Sequence, residues 1–294
     1  MTYEPSQTEA ANPHTATLDM LTTGDLVALL ASEQRSAAIA VESQAAVLAD
    51  LVDAIAERLR AGGRLHYVGA GTSGRVGVLD ASEMPPTFGT QAGLLCAHIA
   101  GGDVALRISV EGAEDDRAAG MAAMQGHVDA GDAVVALSAS GCALYAIGAI
   151  ECARDAGALT VAFVNAERTP LAAAAERAVV LPTGPEPIAG STRMIAGTAQ
   201  KIALNTLSTA IMVRLGKVHG NLMIDVVASN RKLRERALRL VQTLGGVDRA
   251  RAQQLLDAAG GRVKPAVVMA VRDLDLPGAQ AMLDAHAGIL REVL

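Results

Sequence analysis

Residues 64–79 limit the fold of this chain more than any other stretch. The short apolar run Arg64-Leu-His-Tyr-Val68 enters the turn Gly69-Ala-Gly-Thr-Ser-Gly74, and residues 75–79 then read as a helix start. A strand that turns through glycines into a helix is the opening unit of a parallel β-α sheet. It is also a natural anion seat. Free backbone N–H groups and the positive end of the helix dipole point out of such a turn. Thr72 and Ser73 add hydroxyl donors beside those amides.

The same unit recurs along the chain. Short apolar runs at 65–68, 94–99, 133–137, 159–164 and 178–181 are bounded by glycine, asparagine or proline, with helical stretches such as 143–156 between them. This alternation predicts an α/β fold, a parallel sheet with helices on both faces, whose ligands sit at the carboxyl ends of the strands. Before the sheet, apolar residues at helical spacing from Leu26 to Leu59 predict N-terminal helices over 23–62, ended by Gly62-Gly63. A sheet domain over 63–229 follows, closing with a long helix over 192–215. Residues 230–294 read as a small accessory domain, and the second half as a whole is expected to add helices only. The basic run Arg231-Lys-Leu-Arg-Glu-Arg236 mixes charge with leucines, as a solvated amphipathic helix face does.

Gly69, Gly71 and Gly74 also satisfy the G-x-G-x-x-G spacing of a dinucleotide loop. That reading wants an acid roughly 20 residues on, at the end of the next strand. The next strand ends at Gly101-Gly102-Asp103, which places Asp103 too far along. A phosphosugar is the better reading of the loop. A second hydroxyl-rich loop, Ser138-Ala-Ser-Gly141, follows the strand at 133–137 in the same way, and Ser191-Thr192 opens the long helix. One serine would be explained as a helix cap. Two strand-to-helix loops of this kind at one sheet edge suggest a shared phosphate. The candidate ligands are Gly71, Thr72, Ser73, Gly74, Ser138, Ser140, Gly141, Ser191 and Thr192.

Two carboxylates stand beside these loops in sequence. Glu83 has apolar neighbours in Ala81, Met84, Pro85, Pro86 and Phe88, so burial is expected to raise its pKa and make it an acid. Glu111-Gly-Ala-Glu-Asp-Asp116 has two readings. Acids favour a helix start, and one of them facing the cleft would stay ionised as a base. Carboxylates in unlike environments divide into one acid and one base.

Composition excludes several classes. The 294 residues are 51% hydrophobic and 19% charged, with a net charge of −6, and only 2% are aromatic. A nucleic-acid partner wants a basic face and stacking rings, and both are missing. Three cysteines without a C-x-x-C pair fit a reduced compartment, and the six histidines form no H-E-x-x-H, so no metal site is predicted. Residues 1–22 are polar, with Pro5 and Pro13, and read as a mobile arm rather than a signal peptide. No apolar stretch approaches the ~18 residues of a membrane span. The expected location is the cytoplasm, with no membrane partner.

Four blocks carry a family resemblance. Residues 69–89, 111–116, 190–201 and 214–223 resemble the signature segments of N-acetylmuramic acid 6-phosphate etherases, relatives of the glucokinase regulatory protein, within a similarity running from about Leu26 to Arg239. The resemblance implies a sugar isomerase (SIS) fold with a flavodoxin-like sheet, a homodimer, and no metal or nucleotide cofactor. It implies cleavage of the D-lactyl ether of a phosphorylated amino sugar, with Glu83 as the acid and Glu114 as the second catalytic carboxylate. The rival readings are a sugar-phosphate-sensing regulatory protein without catalysis and a phosphosugar isomerase. The chain departs from the family at Cys142-Ala143-Leu144, where Arg-Thr-Pro is usual, at Ile195 in place of lysine and at His219 in place of tyrosine.

Overall fold

Five runs of apolar and β-branched residues form one parallel sheet in the computed structural model, which describes residues 7–226 and 230–294. They are β1 (Leu65–Gly69), β2 (Leu95–Ile99), β3 (Ala133–Ser138), β4 (Leu159–Val164) and β5 (Arg177–Val180). Each lies within a residue or so of the run that predicted it. The order is β2-β1-β3-β4-β5, the flavodoxin-like arrangement, with its switch point between β1 and β3. Gly69 pairs with Ile99 on one side and Leu137 on the other, so the ends of β1, β2 and β3 are level. β3 and β4 are buried at every position, which explains why Ser138 and Thr160 are the only polar residues in them.

Helices precede, cover and follow the sheet. The predicted N-terminal run divides into α1 (Thr23–Glu33), α2 (Arg35–Glu42) and α3 (Ala45–Arg60). Then come α4 (Gly71–Phe88), α5 (Arg117–Met124), α6 (Leu144–Asp155), α7 (Pro170–Ala174) and α8 (Ile195–Arg214). On one face of the sheet, Val68, Val134 and Ala162 pack with Ala146 and Ile150 of α6 and Leu171 of α7. On the other face Tyr67 reaches α4 and α8. Its hydroxyl donates to Asp80 Oδ2 at 2.9 Å, while Asn205 Nδ2 and Ser208 Oγ donate to Asp80 Oδ1 at 2.6 and 3.0 Å. Burial pushes the Tyr67 phenol well above its usual pKa, and the neighbouring Asp80 carboxylate adds to the shift.

The described residues fall into two compact units. The sheet unit lies within Met1–Ser82 and Gly93–Ser208, the helical unit within Glu83–Ala92 and Thr209–Leu294. The division differs from the expected boundary after residue 229. Ile224 and Val226 pack into the helical unit's core with Leu238, Val241 and Val267, which draws the preceding segment with them. This unit is not purely helical. A hairpin of β6 (Val218–His219) and β7 (Leu222–Met223) turns through Gly220, whose φ is +60°. Two-residue strands are too short to leave a periodic signal. The helices are α9 (Arg231–Gly245), α10 (Arg249–Ala258), α11 (Val263–Arg272), α12 (Leu276–Ala285) and α13 (Leu290–Val293). The basic run is the solvated start of α9, whose inner face buries Ala237, Leu238, Leu240 and Val241.

Residues 7–20 differ from the expected free arm. They form three 3-10 turns, and Thr8, Asn12 and Thr15 are buried. Asn12 Nδ2 donates to Glu33 Oε2 at 2.8 Å and Thr15 Oγ1 to Pro187 O at 2.8 Å. These long-range partners leave no trace in local composition. Among the described residues no helix is long and apolar enough to cross a membrane.

Two stability predictions follow from buried polar groups. Asp80→Ala strands a buried phenol and a buried hydroxyl, with a half-buried amide beside them, and an orphaned buried donor costs about 1–3 kcal/mol. Urea unfolding should therefore show a loss of ~3 kcal/mol or more. Elsewhere, His66 Nδ1 and His98 Nε2 lie 3.1 Å apart. Burial, with repulsion from His66 and His127, holds His98 down to about 4 against its usual 6.5. The unfolded chain binds this proton in that window and the folded chain does not, so stability should fall as pH drops from 6.5 towards 4. Melts across that range should show a shallower acid limb in His98→Asn.

Candidate active site

The helix after β1 starts earlier than predicted. α4 begins at Gly71 rather than near Arg75, so Thr72, Ser73 and Gly74 form its first turn. Gly74 N donates to Ala70 O at 3.1 Å, while the amides ahead of it have no intrahelical partner. Two glycines permit this tight entry. A Cβ on Gly74 would stand 2.7 Å from Gly69 O and 2.6 Å from Ile99 Cγ1, and one on Gly69 would stand 2.8 Å from Gly74 N. The first hydroxyl loop is thus pressed against the end of β1, beside the switch point.

The second loop follows β3, the neighbour of β1. Ser138 Oγ accepts from Gly141 N at 3.1 Å and Ser140 Oγ from Cys142 N at 3.3 Å. The serines therefore brace the loop itself and do not cap α6, whose N-cap is Ala143 without a side-chain bond. Their O–H groups remain as donors. Gly141 has a φ of +67°, and a Cβ there would collide with the side chain of Thr169.

The third pair, Ser191-Thr192, lies just ahead of α8 rather than within it. The helix end is held by the buried carboxylate of Glu186, which accepts from Ile195 N at 2.8 Å and Ala196 N at 2.9 Å. Burial raises the Glu186 pKa, and the two amide bonds oppose that rise. A Cβ on Gly197 would stand 3.0 Å from Thr72 Cγ2, so the first turns of α8 and α4 lie side by side. Among the described residues, the hydroxyls of Thr72, Ser73, Ser191 and Thr192 have no protein partner.

A cleft of about 140 Å³ in the sheet unit brings Gly71 together with Arg75, Ser109, Glu111 and Glu114. The two readings of the acidic block turn out to belong to different residues. Asp116 caps α5, its Oδ1 accepting from Ala119 N at 2.8 Å. Glu114 stands before it in the 3-10 turn Ala113–Asp115, which Gly112 enters with a φ of +74°, and lines the cleft. Arg75 is the cation among the lining residues, steadied by an Nε bond to Ala105 O at 3.0 Å.

Glu83 departs from expectation. It belongs to the helical unit and is exposed on α4, because Ala81, Met84 and Phe88 take the buried face. The burial expected of it is not supplied by its own helix. Sequence reading also missed Arg75, Asp80 and Glu186. Arg75 directly follows the loop motif and could have been flagged there. Asp80 acts through partners 13, 125 and 128 positions away, and Glu186 through partners nine and ten positions away, with no local pattern.

A flavodoxin-like sheet with hydroxyl loops on both sides of its switch point defines a protein of the SIS class. The family model described as the glucokinase regulatory protein N-terminal SIS domain matches residues 47–154. A solved E. coli CFT073 protein in complex with A5P aligns with a TM-score of 0.50 at 17% identity, over 68% of this chain and 97% of that one, a likeness of fold. Relatives named N-acetylmuramic acid 6-phosphate etherase match nearly end to end. The one from Deinococcus radiodurans is 50% identical over 99% of this chain and 96% of its own. That from Pectobacterium atrosepticum is 46% identical over 97% and 95%. That from Caldanaerobacter subterraneus is 43% identical over 100% and 96%. The chain belongs to the N-acetylmuramic acid 6-phosphate etherase family.

The glycine contacts give a direct test. Gly74→Ala forces backbone and Ile99 apart, and overpacking of this kind costs about 1–3 kcal/mol. The expected outcome is that loss in denaturant unfolding.

Proposed function

We infer that this chain is an etherase that removes the D-lactyl group of N-acetylmuramic acid 6-phosphate, releasing N-acetylglucosamine 6-phosphate and D-lactate. The observation that carries the reading is the end-to-end similarity to proteins of that name. The cleft that joins Gly71 to Glu114 agrees with it.

The chemistry suits these residues. An alkyl ether resists direct hydrolysis because alkoxide leaves poorly. Opening the sugar ring sets an aldehyde beside C2 and makes the C2 proton acidic. Glu114 removes that proton and Glu83 protonates the departing lactyl oxygen, so the C3–O bond breaks and a C2–C3 double bond forms. Water then adds its oxygen at C3 while a proton returns to C2, and the ring closes. Gly71, Thr72, Ser73, Gly74, Ser138, Ser140, Gly141, Ser191 and Thr192 hold the phosphate and nearby sugar oxygens, which fixes C2 against its base. Arg75 is the cation available in the Glu114 cleft for the lactyl carboxylate.

Glu83 is exposed on α4, so a closed site around it needs a cover. We take that cover to be a second copy of the chain in a cytoplasmic homodimer.

Incubation with N-acetylmuramic acid 6-phosphate and an assay for free D-lactate tests the function. No lactate release from the wild type would refute it, and retained phosphosugar binding would then favour a regulatory protein. Glu83→Gln should abolish most release yet keep exchange of the C2 proton with deuterated solvent. Glu114→Gln should lose exchange and release together. Retained exchange with lost release in Glu114→Gln would reverse the two roles.

A further inference from the structure

The helical unit contains a larger cavity, of about 530 Å³, whose lining includes Lys217, Asp225, Gly261, Arg262, Lys264 and Asp284. Its charge is unbalanced. Asp225 Oδ2 lies 2.9 Å from Lys217 Nζ and 2.9 Å from Lys264 Nζ, so one carboxylate serves two ammonium groups. Lys264 is only 9% exposed. A buried charge is costly unless fully paired, and here one positive charge is left over. Burial accordingly lowers the Lys264 pKa, Asp225 opposes the shift, and Lys217 reinforces it.

A third cation faces the same space. Arg262 Nη1 donates to the neutral Gln280 Oε1 at 2.8 Å and Nε to Ala259 O at 3.2 Å, so neither bond neutralises it. The other acid of the lining, Asp284, accepts from Gln280 Nε2 at 2.8 Å. Three cations therefore meet two carboxylates. The backbone adds to the imbalance. α11 begins at Val263 after Gly260 and Gly261, with φ of +63° and +79°, and Arg262 at its N-cap makes no side-chain capping bond. The positive end of a ten-residue helix thus opens beside the lysine pair without an acidic cap.

We propose that this cavity is a binding site for a small anion, a carboxylate or a phosphate group, seated between Lys217, Lys264 and Arg262. The ligand supplies the missing negative charge. It accepts hydrogen bonds from the two ammonium groups and the guanidinium, while Asp225 keeps the lysines in place. The proposal stands independently of the etherase reading.

The test is titration calorimetry on the full chain at fixed ionic strength. D-lactate and inorganic phosphate are the two probes. The parent is the Ser73→Ala/Arg75→Gln/Ser138→Ala triple variant, so the hydroxyl loops and the Arg75 cleft contribute little. Saturable binding of one equivalent per chain is expected for at least one probe, and which probe binds identifies the ligand as carboxylate or phosphate. Arg262→Gln and Lys264→Met should each weaken it at least tenfold. Arg262 is exposed, so its variant keeps the test decisive if Lys264→Met unfolds. No saturable binding of either probe, or binding in Arg262→Gln equal to the parent's, overturns the proposal.

Discussion

One buried carboxylate organises the sheet unit. Asp80 accepts from a strand through the buried Tyr67 and from a long helix through the half-buried Asn205 and the buried Ser208. Burying a charge in this way is unfavourable unless its lone pairs are used, and here a phenol, an amide and a hydroxyl all donate to the two oxygens. The arrangement has one geometry, because each donor is fixed by its own element. It sets how α4 lies on β1, and hence where the first turn with Thr72 and Ser73 is presented. Gly69 and Gly74 then allow the closest approach the backbone permits.

The parallel strands were legible because burial on both faces leaves apolar runs between turn residues. The strand-turn-helix units at 69–74 and 138–141 were legible for the same reason, and their neighbourhood at one edge followed from the alternation. Glu83 shows the limit of that reading. Ala81, Met84 and Phe88 flank it in sequence, yet on a helix they turn inward and Glu83 turns out. Neighbours along the chain are not neighbours in space. The two-residue strands at 218–223 were hidden because they are too short to show a period, and the packed turns at 7–20 because their partners lie far away in sequence.

The loop serines teach a related point. A serine after a strand is commonly read as the cap of the next helix. Here Ser138 and Ser140 brace their own loop, while α6 starts from Ala143 with no side-chain cap. The hydroxyl oxygens are spent on the shape of the loop. Cys142, Ala143 and Leu144 alter the flank of this loop without removing either brace.

The Glu186 contact has a consequence for orientation. A sugar that carries a phosphate at one end and a carboxylate near the other can enter a site head-first or tail-first. Two helix starts lie side by side, and two equivalent seats would tolerate both directions. Glu186 fills the start of α8 with the protein's own carboxylate and repels any visiting one. Of these two neighbouring starts, the one that opens α8 is filled from within and the one that opens α4 is not, so an internal acid makes two otherwise alike seats unequal.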